Sequence, residues 1–575
     1  MRVNGGWNFL KGMRYHQTNQ NPYFHPQNHH DMMYRFRQPI LFLVLLLSIP
    51  FVGLAQKAGP VLNTELRGAW VATVANIDFP SRPGLSTNEI KIEFDSLMDV
   101  MKAMNMNAVF VQIRPAGDAF YKSPIVPLSK FLVGKQGARL DDTLFDPLEY
   151  MIQAAHDRRM EFHAWLNPYR ATFDPDTSAL DPSHPLRALP NRWKAEWFFK
   201  YGNKWYFNPA SPSVRQYLTN VVKDIVLRYD VDGIHFDDYF YPYKEKDFDL
   251  DDAINDYNAF ASGDHAFTDI SDWRRNNVNV LIEGVSKTVK KYKPYVKFGI
   301  SPFGVWRNKE VDPQRGSNTR AGVTCYDDLY ADVLLWLEKG WIDYVAPQIY
   351  WSIGFPPADY EILVDWWSKN LYGKQLYIGH AAYKINNSAN DANWANEDEI
   401  SKQIALNRAN ANVSGSVFFS VKPLLRNPLG VQDTLMNSLW KHPSLMPPMQ
   451  SLSKVMPAKA TVCRVKGTPS TVQLTWNLCE LLSADEMPFY FALYRFDGEG
   501  VGKFNQPRNL LGFTPFYADK WYFEDHTAVE GEYYTYVVVG FNRANVSSYP
   551  SDPVFVKKTK KKAKKKRRFW GYLLG

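Results

Sequence analysis

Between residue 67 and about residue 440, short β-rich runs alternate eight times with longer segments of helical periodicity, and this alternation constrains the fold more than anything else in the chain. The candidate strands are 68–74, 108–114, 161–166, 233–238, 297–301, 344–350, 376–380 and 416–420. They are near-continuous apolar runs, as strands covered on both faces of a parallel sheet must be. Helical patterns follow at 88–104, 147–159, 213–229, 272–291, 326–339, 358–371, 399–411 and 431–440; in the first, Ile92, Leu97, Met98, Met101 and Met104 give a period near 3.6. Eight β-then-α units predict an α/β protein built as a (β/α)8 TIM barrel over 60–445. The longest insertions, 167–212 and 239–271, follow strands 3 and 4, and long loops in a compact domain usually carry function.

Beyond the barrel the texture changes. Pro443, Pro447, Pro448 and Pro457 mark a Pro-rich linker at 446–458. Alternating strands then begin with 472–476 and 490–496 and end with 533–539. An early Trp476 and a late Tyr-x-Tyr-x-Val strand over 459–556 resemble a small all-β fibronectin type III sandwich.

The ends of the chain carry their own signals. Arg35 and Arg37 precede the apolar run 40–54, and Gly53 and Ala55 are small residues before Gln56, so 1–56 reads as an N-terminal extension and signal peptide. The run is short for a spanning helix, and the expectation is export to the periplasm, envelope or exterior. At the other end, 557–568 holds ten Lys or Arg and no acid, within a basic tail at 557–575. The formal net charge of +8 is therefore a property of the tail; the rest of the chain is near neutral, which argues against a nucleic-acid partner. The tail reads either as a solvated end or as an electrostatic attachment to an anionic envelope surface. Three cysteines are too few for a disulfide scaffold; Cys463 and Cys479 either pair or are two small buried residues.

In a (β/α)8 barrel, chemistry sits at the C-terminal ends of the strands. The end of strand 4, Asp232-Gly233-Ile234-His235-Phe236-Asp237-Asp238, is the most specific. Alternation puts His235 and Asp237 on one face, pointing into the barrel mouth. Glycoside cleavage needs a carboxylic acid at the leaving oxygen and a second carboxylate for the anomeric carbon or its water. Asp237 is the first choice. Asp238 can join it if the strand ends there, and Asp118, after strand 2, is the other candidate; the alternative is that Asp237 and Asp238 cap the next loop. Arg114 and Arg170 could hold carboxylates or bind an anionic substrate. Gln112, Asn167 and Gln348 carry the donor and acceptor pairs that read hydroxyls and acetamides, and Tyr169 lies beside them. Aromatic residues make up 15% of the chain, and Trp306, Tyr350, Trp351 and Tyr383 could stack on sugar rings. Taken singly, each ring reads as core. His163, His235 and His380 stand on separate strands without a zinc-binding array, so no metal and no cofactor is expected.

Together, RGAWVATV (67–74), VQIRPAGDAFY (111–121), AWLNPYR (164–170), DGIHFDDYFYP (232–242), ISPFGVWRN (300–308) and DYVAPQIYW (343–351) resemble the glycosyl-hydrolase-10-like family of exported bacterial proteins. The resemblance covers essentially the whole barrel. It implies a glycoside hydrolase fold and cleavage of cell-wall glycan, notably peptidoglycan strands stripped of peptides, and it places the family's strand-4 Asp pair on Asp237 and Asp238. Two other readings fit the same residues: a non-catalytic glycan-binding barrel in an envelope assembly, and a glycosidase for another polysaccharide.

Overall fold

A computed structural model of the protein describes residues 62–558 apart from 255, 263–265, 469, 479–482, 515 and 517–520. The leader-like segment, the tail beyond Lys558 and the Cys463–Cys479 pairing lie outside the described residues. Among these residues, eight parallel strands close into a barrel: β1 (Leu66–Val71), β2 (Ala108–Arg114), β3 (Glu161–Leu166), β4 (Gly233–Phe236), β5 (Lys297–Ile300), β6 (Tyr344–Val345), β7 (Gln375–Ala381) and β8 (Val413–Phe419), with β1 pairing both β2 and β8.

Helix α1 (Thr87–Ala103) shows why the periodic segments fold as they do. Ser86 and Glu89 form a reciprocal capping box, satisfying two of the amides that a helix start leaves open. Its buried face is Ile90, Phe94, Met98 and Met101; Ile92, which the periodicity assigns to that face, is exposed. The helix expected at 326–339 shrinks to Val333–Glu338. Tyr330 adopts a left-handed φ of 50°, and Asp332 caps the helix by accepting from the Leu335 amide. The sixth strand keeps only two of its seven expected residues as a continuous ladder; beyond Val345 the pairing continues as isolated bridges, Gln348 with Phe303 and with Gly379 of β7.

After the barrel, seven antiparallel strands among the described residues form two sheets. The first holds β9 (Ala460–Gly467), β10 (Val472–Leu478) and β13 (Tyr522–Asp525). The second, in the order β12-β11-β14-β15, holds β11 (Tyr490–Asp497), β12 (Leu510–Phe513), β14 (Tyr533–Phe541) and β15 (Val554–Lys557). Trp476 and Phe491 pack between the sheets at 5.4 Å. The Pro-rich segment is not a loose spacer. Met446 and Met449 are buried in the inner barrel cluster with Leu66 and Trp70, so the linker closes the bottom of the barrel.

The sheets dock on that same end. The Arg543 guanidinium grips Asp230 at 2.8 and 2.9 Å, and Asn545 Nδ2 donates to Glu161 Oε1 at 2.8 Å. The Arg159 guanidinium lies 4.0 Å from the Phe516 ring centroid and 4.2 Å from that of Tyr490. Glu161, at the start of β3, is also ion-paired with buried Lys297, at the start of β5. Burial pushes the Glu161 carboxyl up, and the Lys297 ammonium together with His163 more than offsets this, leaving it below the usual carboxylate range. The N-terminal face of the barrel is thus a covered structural face, and the opposite rim is open for a ligand.

Candidate active site

Strand β4 stops at Phe236, which decides the site. Had the extended backbone continued, Asp237 and Asp238 would face opposite ways. Instead the chain turns, with the Phe240 amide donating to the Asp238 carbonyl at 3.0 Å, and both carboxyls line one cavity of about 440 Å³ at the barrel mouth. That volume suits a small-molecule or oligomer-end ligand.

Asp237 Oδ2 accepts from Trp165 Nε1 at 3.0 Å, and its Oδ1 accepts from the Tyr239 amide at 3.3 Å. Burial raises its carboxyl to about 7, the Asp238 charge adds to this, and Arg170 and the Trp165 N–H oppose it. Asp238 is raised by burial as well, but the Tyr243 hydroxyl donates to it and the Gln348 amide supports its charged form. Among the described residues lining the cavity, these two are the sole carboxylates.

The walls are aromatic. On one side Tyr239, Tyr243, Phe303 and Trp351 run ring to ring at 5.3, 6.2 and 5.5 Å. On the other, Tyr350 stacks on Phe419 at 5.9 Å, with Tyr383 edge-on to both at 6.0 Å. Trp70 and Trp165 line the same cavity. Two cations complete it. The Arg170 guanidinium sits 4.1 Å from the Tyr239 ring and 4.7 Å from Phe173, and Lys384 donates to the Tyr350 carbonyl at 2.6 Å. Gln112 spends its amide oxygen on the Thr73 and Val74 backbone, and Gln348 donates to the Ser301 carbonyl at 2.9 Å.

The structure therefore brings together Asp237, Asp238, Gln112, Arg170, Gln348, Tyr350, Trp351 and Tyr383. Six expected residues lie elsewhere. Asp118 faces a second, smaller cavity. Arg114 is fully buried and donates to the Asn167 and Pro168 carbonyls at 2.7 and 3.2 Å, so it braces the β3 loop rather than meeting a ligand. Asn167 accepts from the Arg170 amide at 3.0 Å, which makes it a positioning residue, and Tyr169 is buried in the main core. Trp306 is buried and stacked on Trp366 at 5.8 Å.

His235 was expected in the mouth and lies one layer beneath it. Its Nε2 accepts from Trp70 Nε1 at 3.1 Å and its Nδ1 meets the Tyr344 hydroxyl at 3.0 Å. Burial, with His163 nearby, holds it well below the ordinary imidazole range and hence neutral. It fixes the floor on which Trp70 and Ser301 stand. His163 meets Tyr344 and Glu161, whereas His380 meets Gln403 and Asn407, so the three histidines are not gathered around one point.

Several wall residues were missed by sequence reasoning: Trp70, Trp165, Tyr243, Phe303, Lys384 and Phe419. Alternation along β3 puts Trp165 on the same face as His163, so that residue was within reach of the pattern. Tyr243 returns to Asp238 only through the loop's tertiary path, which no local periodicity encodes.

A family model described as Glycosyl hydrolase-like 10 matches residues 65–396. The chain is 43% identical over 525 residues to Glycosyl hydrolase YngK of Bacillus subtilis (strain 168), covering 90% of this chain and 97% of that protein. It is 36% identical over 377 residues to Glycosyl hydrolase DigH of Escherichia coli (strain K12), covering 62% of this chain and 83% of that protein. Among solved structures, the PgaB (BpsB) glycoside hydrolase domain from Bordetella bronchiseptica aligns with a TM-score of 0.40 and 12% identity, over 65% of this chain and 98% of that one.

Proposed function

The chain belongs to the glycosyl hydrolase-like 10 family, and from that premise we propose that it is an exported glycoside hydrolase that cleaves bacterial cell-wall glycan, specifically peptidoglycan strands freed of peptides. The observation that carries the reading is the Asp237–Asp238 pair in a cavity walled by rings. Rings bind the apolar faces of sugars, and the carboxyls supply the proton transfer that glycosidic cleavage requires. With its carboxyl near 7, Asp237 still carries a proton around neutrality and serves as the general acid. Asp238, supported by Tyr243 and Gln348, takes the negative charge.

The two carboxyls belong to successive residues, and no other described lining residue offers one from the far side of the cavity. An N-acetylated sugar supplies the missing nucleophile itself. Its acetamide oxygen attacks the anomeric carbon as the glycosidic C–O bond breaks; the leaving oxygen takes the Asp237 proton, and Asp238 accepts the acetamide N–H. Water then opens the oxazolinium intermediate, with its proton returning to Asp237. Two displacements retain the anomeric configuration, so NMR of the first-formed product on purified peptide-free strands shows retention. Inversion overturns the acetamide step, and tight binding without product makes the barrel a binding module.

The pH profile follows from the same assignment. Because Asp237 must be protonated, kcat/KM falls about ten-fold per unit above about 7. The Trp165 N–H favours the charged carboxylate, so Trp165→Phe raises the Asp237 pKa further and moves this alkaline limb upward. A limb that stays in place removes Asp237 as its source.

A further inference from the structure

Asp118 is unused by the chemistry above, yet its surroundings are those of a recognition group. It follows β2 on the same open rim, is 4% exposed, and borders a second cavity of about 160 Å³. Its Oδ2 accepts from Gln136 Nε2 at 3.0 Å, while its Oδ1 is buried without a hydrogen-bond partner. Burial raises the Asp118 carboxyl, and the Gln136 and Ser129 side chains, with the Arg114 and Lys130 charges, oppose this. A buried acceptor left open costs roughly 1–3 kcal/mol, and such a group beside a cavity is one that a ligand donor can satisfy.

The second cavity meets the catalytic one at the contact of Arg170 with Phe173. Phe131 and Phe173 both line it and meet edge to face at 5.5 Å. Phe173 also carries the Arg170 guanidinium of the catalytic cavity. Asn76, next to the cavity residue Ile77, donates to the Phe131 carbonyl at 2.9 Å. The two spaces therefore share a wall along the rim between β1, β2 and β3. At about 160 Å³ the smaller one is below the size of an independent ligand site, which usually needs 300 Å³ or more. It suits one unit of a polymer whose neighbouring unit occupies the main cavity.

We propose that this cavity is a distal sugar subsite, in which Asp118 accepts a hydroxyl or amide N–H from a further residue of the glycan chain as it passes the Arg170–Phe173 contact. The inference rests on the glycan reading of the main cavity. It makes the protein a reader of chain length, favouring substrates long enough to span both spaces.

The test is affinity, measured by calorimetry on the full protein with peptide-free glycan fragments of graded length, alongside their kcat/KM. In the wild type, affinity rises about ten-fold at the length that first reaches the second cavity. Asp118→Ala, and independently Ala179→Trp, which fills the cavity from an exposed position on its edge, each remove that step, so the ratio of long-chain to short-chain affinity collapses towards one. The exposed tryptophan keeps the test valid should the buried alanine variant fail to fold. A step that survives in the folded variants, or affinity independent of length in the wild type, overturns the subsite while leaving the catalytic reading intact. Absence of binding at every length overturns both.

Discussion

Replacing Asp237 with asparagine lowers kcat/KM on peptide-free glycan strands by about 10³-fold, within the 10²–10⁴-fold range of a lost general acid, while the barrel stays folded. The amide is nearly isosteric and can still accept from Trp165 Nε1, but it holds no proton to give the leaving oxygen. The folded state should gain rather than lose, because burial and the Asp238 charge both oppose an ionised group at this position. Turnover on the glycan panel with matched circular dichroism and melting curves checks both halves. Retained turnover in Asp237→Asn, beside an active wild type, removes Asp237 from the chemistry. Asp238→Asn behaves differently: it relieves the like charge, so the pKa of Asp237 drops, and the catalytic loss is accompanied by a shift of the alkaline limb to lower pH.

Replacing Lys297 with methionine destabilises the protein by about 3–5 kcal/mol, the usual cost of removing one partner of a buried ion pair. Glu161 and Lys297 are both buried at the bottom of the barrel, and the ammonium is the largest of the influences that keep the carboxyl ionised there, ahead of His163. Without it, a charge sealed beneath the docked sheets keeps only the Asn545 amide and His163 as partners. Denaturant unfolding measures the loss. The double variant Glu161→Gln, Lys297→Met recovers much of it, since the neutral amide no longer needs a counter-charge and can still accept from Asn545. A single variant within 1 kcal/mol of wild type shows that water or rearrangement reaches this end of the barrel. Because Asn545 belongs to the sheets and Glu161 to the barrel, the same experiment reports whether the two unfold together.

The barrel was legible because its cause is local and repeated. Strands β2 and β3 coincide with their mainly apolar runs to the residue, since most positions of a strand covered on both faces must be apolar. Legibility failed where a single backbone angle or cap intervened, as at Tyr330 and Asp332, which shorten the helix after β5. It failed again at Arg114 and Trp306, whose polar or aromatic character marks a rim residue in sequence, while the long loops after β3 and β5 fold back and bury them. Asp118 is the instructive case: the right residue type on the right rim, yet bordering a second cavity, lined by Phe131 and Phe173, that only the tertiary path assembles.

By itself the sequence determined the ring of eight strands, the rim on which ligand chemistry must sit, and the acidic pair at the end of the fourth strand, because periodicity and strand polarity are properties of neighbouring residues. Only the tertiary structure decided that β4 stops at Phe236 so that both carboxyls share one cavity, that His235 serves the floor instead of the mouth, and that the C-terminal sheets and the Pro-rich segment seal the opposite end. The physical reason is range: these outcomes depend on turns, burial and charge pairs between residues tens to hundreds of positions apart, whose energies exist only once the chain has closed.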